Sequence, residues 1–311
     1  MKPAFAMAEV ANPPNGMQLL IDGRHQLGEG VLWCERTARL FWTDIPAATL
    51  WCYTPNTGLT QQWPLAEPLA SFAFTADDDC LLLGLASQLA FLRLSTGAVT
   101  PICSVEAHLP TTRINDGRCD RQGRFVFGTF NQAPGHAPIG GFYRLNLDLK
   151  LERLPLPSVA IANSICFSPA GTVMYYCDSA ARRIECCDFD PITGALSNQR
   201  IFATLDAASG EPDGSVIDAD GYLWNACWGG YRVVRYAPDG SVERIVAVPV
   251  QQPSCVAFGG ADLSSLYVTS ARIGLAQSLL DERPASGGLF HARFADVRGL
   301  PADRFAGAVP D

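Results

Sequence analysis

The sequence predicts an all-β fold, namely a six-bladed β-propeller built from four-stranded antiparallel blades around a central channel. Three observations lead to this prediction. A short run of aromatic and branched residues recurs six times, about every 40 to 50 residues. Further β-like segments flank each run, and no long segment has the apolar periodicity of a helix.

The six runs share their composition, and several follow a turn sequence such as "DRQG", "SPAG" or "DADG". They are Arg39–Asp44, Cys80–Leu85, Arg124–Thr129, Val173–Asp178, Tyr222–Cys227 and Ser265–Ser270. With the strand before each run and the segments after it, every unit has about four short strands. Units of four strands at this period are typical of propellers, whose radial packing leaves only short sheet edges.

The ends of the chain complete the predicted ring. We expect the segment "MQLLID", which begins at Met17, to add a strand to the last blade. Residues 1–16 are assigned to an N-terminal tail and residues 17–311 to one propeller domain. The alternative of two β-sandwich domains needs a linker between them, and the sequence contains no segment that reads as one.

Composition limits the partners and the location of the protein. The 311 residues are 48% hydrophobic, which is enough for a large core, and the net charge is −8. Without clusters of Lys and Arg, neither nucleic acid nor an anionic membrane is expected as the main partner. No apolar run approaches the roughly 18 residues of a membrane span, and the start lacks a signal-peptide pattern. We therefore expect a cytoplasmic protein, present as a monomer or weak homo-oligomer.

The eleven cysteines are not expected to form disulfides or bind metal, and those in strand-like runs are expected to be buried apolar side chains. Their number is odd, they are scattered, and no C-x-x-C pair occurs, which disfavours disulfides and a zinc cluster. Several alternate with hydrophobic residues in strand-like runs, as small buried side chains do. These are Cys34, Cys52, Cys166, Cys177, Cys227 and Cys255.

Six residues occupy equivalent positions at the start of the first strand of each unit. They are Glu29, Ser71, Asn115, Asn163, Asp213 and Ser254. The first strand of each propeller blade lines the channel, so these side chains are expected to point at one spot near the axis. Converging oxygen atoms repel one another and lose hydration, and a bound cation removes that cost.

Glu29, Asn163 and Asp213 are therefore the predicted ligands of one divalent metal ion. Their hard oxygen atoms favour Ca²⁺, Mg²⁺ or Mn²⁺. We expect Ca²⁺ first, with Zn²⁺, Mn²⁺, Mg²⁺ and Fe²⁺ as alternatives. A second interpretation stays open, in which these polar residues only hydrate a water-filled channel.

Other catalytic motifs are absent from the sequence. The four histidines show neither H-x-H nor H-E-x-x-H spacing, and there is no G-x-S-x-G, G-x-G-x-x-G or P-loop. These absences argue against a Ser-His-Asp hydrolase and against a dinucleotide-dependent oxidoreductase.

Four segments together resemble the SMP-30/gluconolactonase/regucalcin family. They are "LGEGVLWCERTARLFWTDI" from Leu27, "RINDGRCDRQGRFVFGT" from Arg113, "IANSICFSPAGTVMYYCDS" from Ile161 and "EPDGSVIDADGYLWNACWGG" from Glu211. The resemblance implies a six-bladed propeller with one divalent metal in its channel and activity on sugar lactones. It also implies metal ligands at Glu29, Asn163 and Asp213 and substrate contacts at Arg113 and Asn115.

The third blade departs from the animal regucalcins, which have a substrate-binding glutamate after "GT". Here Ala133 stands at the matching place, with Asn131 and Gln132 just before it. We take Asn131 as a further substrate contact. The wording "GTFN" and "PIGGFYRLN" is most similar to bacterial aldonolactonases of the L-arabinonolactonase type.

The resemblance implies hydrolysis of an aldono-1,4- or 1,5-lactone, such as L-arabinono-, galactono- or gluconolactone, to the aldonic acid. Asp213 is the candidate general base, while Arg113 and Asn115 would orient the sugar. Three alternatives stay open: a calcium-binding regulatory protein without catalysis, a scaffold propeller that binds proteins, and a broader esterase or organophosphatase.

Overall fold

The computed structural model describes residues 16–309, and they form six sheets of four antiparallel strands each. The predicted all-β fold is confirmed. Of the predicted tail, residues 1–15 lie outside the described residues, as do residues 310 and 311 of the predicted domain. The division of the chain at residue 16 therefore stays a prediction.

In five blades the four strands are consecutive in the sequence and lie in that order from the channel outward. In the last blade the three inner strands are consecutive, and the outermost strand comes from the start of the chain. Blade 1 contains β2 (Gly28–Cys34), β3 (Arg39–Asp44), β4 (Thr49–Thr54) and β5 (Leu59–Pro64). Blade 2 contains β6 (Leu69–Phe74), β7 (Cys80–Leu85), β8 (Gln88–Arg93) and β9 (Ala98–Ser104). Blade 3 contains β10 (Thr112–Cys119), β11 (Phe125–Asn131), β12 (Phe142–Leu145) and β13 (Leu151–Arg153).

Blade 4 contains β14 (Ala162–Phe167), β15 (Val173–Asp178), β16 (Arg183–Phe189) and β17 (Leu196–Thr204). Blade 5 contains β18 (Glu211–Ile217), β19 (Leu223–Trp228), β20 (Arg232–Tyr236) and β21 (Val242–Ala247). Blade 6 contains β22 (Pro253–Gly259), β23 (Ser265–Ser270), β24 (Leu289–Arg293) and β1 (Gln18–Ile21). Short 3₁₀ turns occur at Ser179–Ala181 and Ala207–Ser209, and helix α1 is Gln277–Glu282.

The six innermost strands form a closed ring. Each one contacts the innermost strand of both neighbouring blades, in the order β2, β6, β10, β14, β18, β22 and back to β2. The ring encloses the axis of the propeller, so residues far apart in the sequence meet there.

The N-terminal strand closes the ring, as the sequence predicted. β1 pairs with β24 in antiparallel register, with Gln18 opposite His291 and Leu19 opposite Phe290. The last sheet thus joins the first strand of the described chain to its last strand.

The hydrophobic core is divided into six wedges, one between each pair of neighbouring blades. The wedge between blades 5 and 6 is representative. Trp224 is fully buried there and meets Phe258 and Phe294 edge to face, at ring-centroid distances of 5.4 and 5.2 Å. Such aromatic pairs add stability beyond the apolar area that they bury.

The cysteine prediction is confirmed. All eleven cysteines are free thiols, and the six that were singled out in strand-like runs are buried. Burial raises the pKa of the Cys166 thiol to about 12, because a thiolate loses its hydration there. These side chains serve as packing groups, not as reactive thiols.

Buried aspartates hold the turns that follow two of the innermost strands. In blade 5, Asp218 accepts hydrogen bonds from the backbone N–H groups of Asp220 and Tyr222. Its other oxygen accepts from Trp224 Nε1 and from the guanidinium of Arg235, at 2.7 to 2.9 Å. In blade 3 Asp120 fills the same role in the turn "DRQG", which agrees with the structural role predicted for it.

The C-terminal segment crosses the end of the propeller where the innermost strands finish. Gly299 forms a bridge to Asp218, and Phe305 N donates to Phe74 O at 2.7 Å. Between them, Asp303 pairs with Arg121 at 2.6 Å. Residues 300–303 lie against side chains from the ends of those strands, among them Ile217. This strap was not predicted from the sequence.

Four of the six predicted runs coincide with β3, β7, β15 and β23, and the other two differ by one or two residues at their ends. Helix α1 was not predicted. In residues 16–309 no helix has the length and apolar character that a membrane crossing requires.

We predict that Asp218→Ala destabilises the protein by about 3–5 kcal/mol, because it leaves the buried guanidinium of Arg235 without its main partner. The measurement is the free energy of unfolding in urea. Asp220→Ala is the control, since Asp220 is exposed and lies 3.9 Å from Arg235. A change of about 0.5 kcal/mol or less in both variants contradicts the prediction.

Candidate functional site

A register shift interrupts the pairing of every innermost strand near its first residues. The shifts lie at Glu29/Leu32, Leu69/Ser71, Ile114/Gly117, Asn163/Cys166, Pro212/Ser215 and Pro253/Val256. A bulge of this kind bends the strand and re-aims its side chains. The six bulges therefore explain how polar side chains leave the alternation of the strands and face the axis.

Left-handed backbone follows two of the predicted ligands. Gly30, after Glu29, has φ of +59°, and Ser164, after Asn163, has φ of +58°. Glycine adopts this conformation without steric cost, whereas serine does so rarely. In blade 1 the second glycine of "GEG" adopts the left-handed backbone without strain. In blade 4 the serine of "ANS" adopts it although serine has a side chain.

Five predicted site residues line one cavity of about 470 Å³ at this end of the channel. They are Glu29, Arg113, Asn115, Asn163 and Asp213. Ser71 and Ser254, which occupy the equivalent positions in blades 2 and 6, do not line it. Ser254 instead donates to the carbonyl oxygen of Gly28, next to Glu29. The remaining lining residues are Leu27, Phe130, His136, Ile161, Ser179, Glu211, Trp228 and Ile273.

Arg113 is buried and firmly oriented. Its Nη1 donates to Asn115 Oδ1 at 2.7 Å and to the carbonyl of Ile114 at 2.8 Å. The guanidinium carbon lies 4.9 Å from the centre of the Phe130 ring, a cation–π distance. These contacts use one nitrogen and one face of the planar group, which leaves further N–H groups to donate to a ligand.

Asn115 connects the arginine to Asn163 of the next blade. Its Nδ2 donates to Asn163 Oδ1 at 3.1 Å and to the carbonyl of Ala162 at 2.8 Å. Asn163 Nδ2 donates in turn to Ser179 Oγ at 2.9 Å. The amide oxygen of Asn163 keeps a second lone pair, so it remains available as a ligand atom.

Two of the three carboxylates that line the cavity, those of Glu29 and Asp213, are held in an environment that disfavours their charged form. Burial raises the pKa of Glu29 to about 8, with a further contribution from the negative charge of Asp116. Burial also raises the pKa of Asp213 well above its usual value, and the charges of Glu29 and Asp116 add to this. Burial lowers the pKa of Arg113 to about 10, against the attraction of Glu29 and Asp213.

The oxygen donors of the cavity fit a divalent cation. Glu29 Oε2 accepts only the neighbouring Gly30 N–H at 3.1 Å, and within residues 16–309 no basic side chain forms an ion pair with Glu29 or Asp213. A divalent cation would stabilise the charged form of two buried carboxylates that no basic side chain neutralises in an ion pair. Residues 16–309 contain no group of three His, Cys, Asp or Glu side chains suited to a metal. The predicted ligand set adds the Asn163 amide to the two carboxylates.

Asn131 lies outside the cavity, unlike the other predicted substrate contacts. Its Nδ2 donates to the carbonyl of Ala137 at 2.9 Å, and its Oδ1 accepts from Ala133 N at 3.1 Å. Its own carbonyl bonds His136 Nδ1 at 2.8 Å. Because both ends of the side-chain amide are hydrogen-bonded to backbone groups of the following loop, Asn131 stabilises the loop that places His136 at the cavity.

Several lining residues were missed by the sequence analysis. Glu211 stands two residues before Asp213 on β18, so the alternation of a strand was a signal that could have found it. Trp228 ends β19, and His136 lies in the loop after β11 with its ring 5.1 Å from that of Phe130. No spacing in the sequence indicates that these two side chains line the same cavity.

Two aspartates outside the cavity fix its apolar wall. Asp44 accepts hydrogen bonds from Gln26 N and Leu27 N, both at 3.1 Å. Asp178 likewise accepts from Ala160 N at 2.9 Å and from Ile161 N at 3.2 Å. The aspartate that ends the second strand thus holds the start of the first strand in blades 1 and 4, and Leu27 and Ile161 face the cavity.

Comparisons with known proteins agree with this architecture. The chain is 53% identical to the L-arabinolactonase of Azospirillum brasilense over 298 residues, which cover 95% of this chain and 97% of that one. It is 30% identical to the regucalcin of Xenopus laevis, over 94% of this chain and 98% of the relative. The crystal structure of a calcium-binding regucalcin from Agrobacterium tumefaciens superposes with a TM-score of 0.90 at 30% identity, covering 96% and 99% of the two chains.

The family profile described as the SMP-30/Gluconolactonase/LRE-like region matches residues 27–272, which contain every predicted ligand and substrate contact. The match extends from the strand that carries Glu29 to the end of β23. The chain belongs to the SMP-30/gluconolactonase/LRE-like family.

Proposed function

We propose that the protein is a metal-dependent hydrolase that opens a sugar lactone to its aldonic acid. The observation that carries this proposal is the convergence of Glu29, Asn163 and Asp213 with Arg113 and Asn115 in one cavity. Oxygen donors for a cation thus stand beside hydrogen-bond donors for a polyhydroxylated ligand. The 53% identity to an L-arabinolactonase supports an aldonolactone as the substrate, and we take L-arabinono-1,4-lactone as the first candidate.

Glu29, Asn163 and Asp213 would hold the ion, and Ca²⁺ is our first candidate because the structurally similar regucalcin is described as calcium-binding. When bound, a divalent ion supplies Lewis acidity toward a carbonyl oxygen and lowers the pKa of a coordinated water. The remaining chemistry rests on the side chains of the chain itself.

Asp213 is the proposed general base. Its buried carboxylate lies in the cavity among the other predicted ligands, where it would accept a proton from a water molecule beside it. The carboxylate stays in place because its strand is anchored through the backbone: Asn225 Nδ2 donates to the carbonyl of Asp213 at 2.9 Å. Because the group is already held in place, little rearrangement of the protein is needed when the proton is transferred.

Arg113 and Asn115 are proposed to orient the sugar. The free N–H groups of Arg113 would donate to ring hydroxyls, while Phe130 and Trp228 offer apolar faces to the C–H side of the sugar. Asn131 enters this proposal as a residue that holds the loop of His136. Cytoplasmic location and a monomeric or weakly associated state stay predictions from the sequence alone.

A panel of sugar lactones, assayed by acid release with a pH indicator, tests the proposed function. We expect turnover of an aldonolactone by protein loaded with a divalent ion, and loss of turnover after chelation, with recovery on adding the ion back. Metal binding without activity on any lactone would instead support a regulatory calcium-binding protein of the regucalcin type. Turnover that survives complete chelation contradicts the metal-dependent proposal.

We predict that Asp213→Asn and Arg113→Ala separate the two roles. Asp213→Asn removes base and ligand charge, and we expect kcat to fall about 10²–10⁴-fold. Arg113→Ala removes charged hydrogen bonds to substrate, and we expect kcat/KM to fall about 10–100-fold while metal affinity is kept or rises, because a positive charge is lost. Steady-state kinetics and metal titration measure both effects.

Asp239→Asn is the control for these variants, since Asp239 is exposed in a turn of blade 5. Wild-type kcat in Asp213→Asn would rule out the assignment of Asp213. Loss of metal binding in Arg113→Ala, with the fold intact by circular dichroism, would rule out a role confined to substrate.

We predict that the metal-free protein loses stability as the pH rises. The pKa of Glu29 is raised from 4.5 to about 8 in the folded state, so between these values the folded chain binds more protons than the unfolded chain. The free energy of unfolding therefore falls from about pH 5 to pH 8. Glu29→Gln removes this titration, and urea unfolding in chelator at several pH values should show a shallower fall. An unchanged pH profile in Glu29→Gln would contradict this prediction.

A further inference from the structure

The strands that carry Asn163 and Asp213 touch without sharing a sheet. β14 pairs with β15, β18 pairs with β19, and the two strands contact each other across the boundary between blades 4 and 5. No ladder of backbone hydrogen bonds joins β14 to β18. The distance between the two side chains therefore depends on bonds made by other side chains across this boundary.

Two serines of blade 4 make those bonds to consecutive residues of β18. Ser164 Oγ donates to the carbonyl of Asp213 at 2.7 Å, and Ser179 Oγ donates to the carbonyl of Pro212 at 2.7 Å. Both serines are buried, and Ser164 follows Asn163 directly. The strand that carries Asp213 is thus tied to the residues around Asn163 at two adjacent points.

Ser179 also determines which way the Asn163 amide faces. A hydroxyl has one proton, and that of Ser179 is committed to the carbonyl of Pro212. Its oxygen can then only accept from Asn163, which draws the Nδ2 end toward Ser179 at 2.9 Å. The Oδ1 end points the other way, where it accepts from Asn115.

Ser164 keeps a conformation that serine rarely adopts, and its hydroxyl explains why. With φ of +58° the residue lies in the left-handed region. Its fully buried hydroxyl accepts from Ser215 Oγ at 3.0 Å and Asn225 Nδ2 at 3.1 Å while it donates to Asp213. Three buried hydrogen bonds offset the cost of the backbone conformation, and glycine at this position would provide none of them.

We propose that Ser164 and Ser179 are positioning residues that set the distance between Asn163 and Asp213 and orient the Asn163 oxygen toward the cavity. This inference rests on the proposed function, because it concerns the ligands of the same metal. The two serines would affect metal affinity by holding Asn163 and Asp213 in place, without touching the reacting atoms themselves.

Ser179→Ala tests the proposal, with Ser270→Ala as the matched control. Ser270 is also fully buried, and its Oγ donates to the carbonyl of Gly288 at 2.7 Å, but that bond stays within blade 6. The probe is Ca²⁺, titrated calorimetrically into chelator-treated protein. We expect Ser179→Ala to weaken Ca²⁺ binding about 10–100-fold and Ser270→Ala to leave it unchanged.

Two more variants separate positioning from general stability. Ser179→Thr retains the hydroxyl and should restore Ca²⁺ affinity, and Ser164→Gly keeps the left-handed backbone but loses the hydroxyl, so it should weaken binding. Thermal unfolding of the metal-free proteins should show a loss of stability for both Ser179→Ala and Ser270→Ala, larger for Ser179→Ala, because Ser179 Oγ makes two buried hydrogen bonds and Ser270 Oγ makes one.

Equal Ca²⁺ affinity in Ser179→Ala and Ser270→Ala overturns the inference, whatever the wild type does with lactones. A wild type that binds Ca²⁺ but hydrolyses no lactone overturns the proposed function alone, and the affinity comparison still decides the role of the serines. A wild type that binds no divalent ion overturns both.

Discussion

The closed ring of innermost strands is the constraint on which the rest of the molecule depends. Glu29 and Asp213 are 184 positions apart in the sequence, and they share a cavity only because six blades complete a full circle. The pairing of β1 with β24 fastens that circle, and the six hydrophobic wedges keep the blades at fixed angles. A break at any one boundary would displace side chains on both sides of the axis.

The ring brings together groups that repel one another, and local structure accommodates this. The innermost strands of blades 1, 3, 4 and 5 carry the site side chains, and each of them gives up regular pairing near the cavity, so that these side chains can turn inward. The carboxylates of Glu29 and Asp213 then stand in a buried setting where ionisation is unfavourable. The cation proposed for this site would offset the repulsion between the carboxylates, and the same repulsion would then favour its binding.

The sequence predicted what depends on periodicity and missed what depends on loops. The repeat gave the blades, the closing strand and the shared cavity of Glu29, Asn163 and Asp213, because equivalent positions in a ring point to one axis. Asn131 was placed at the substrate because it stands just before the position of the substrate-binding glutamate of the animal regucalcins, yet its amide is hydrogen-bonded to the backbone of its own loop. Contacts of that kind, like those of the C-terminal strap, follow from chain paths that no repeat specifies.

The two ends of the propeller differ in what lies across them. The cavity lies where the innermost strands begin, and residues 300–303 lie at the opposite end, beside residues from the ends of those strands. A substrate that enters at the cavity end and a product that leaves there pass the same lining residues. A neutral lactone arrives and an aldonate anion departs, which gives the charges at the rim, with Glu211 among them, opposite effects on the two passages. Release of the anion, and not only the hydrolytic step, becomes part of what this architecture controls.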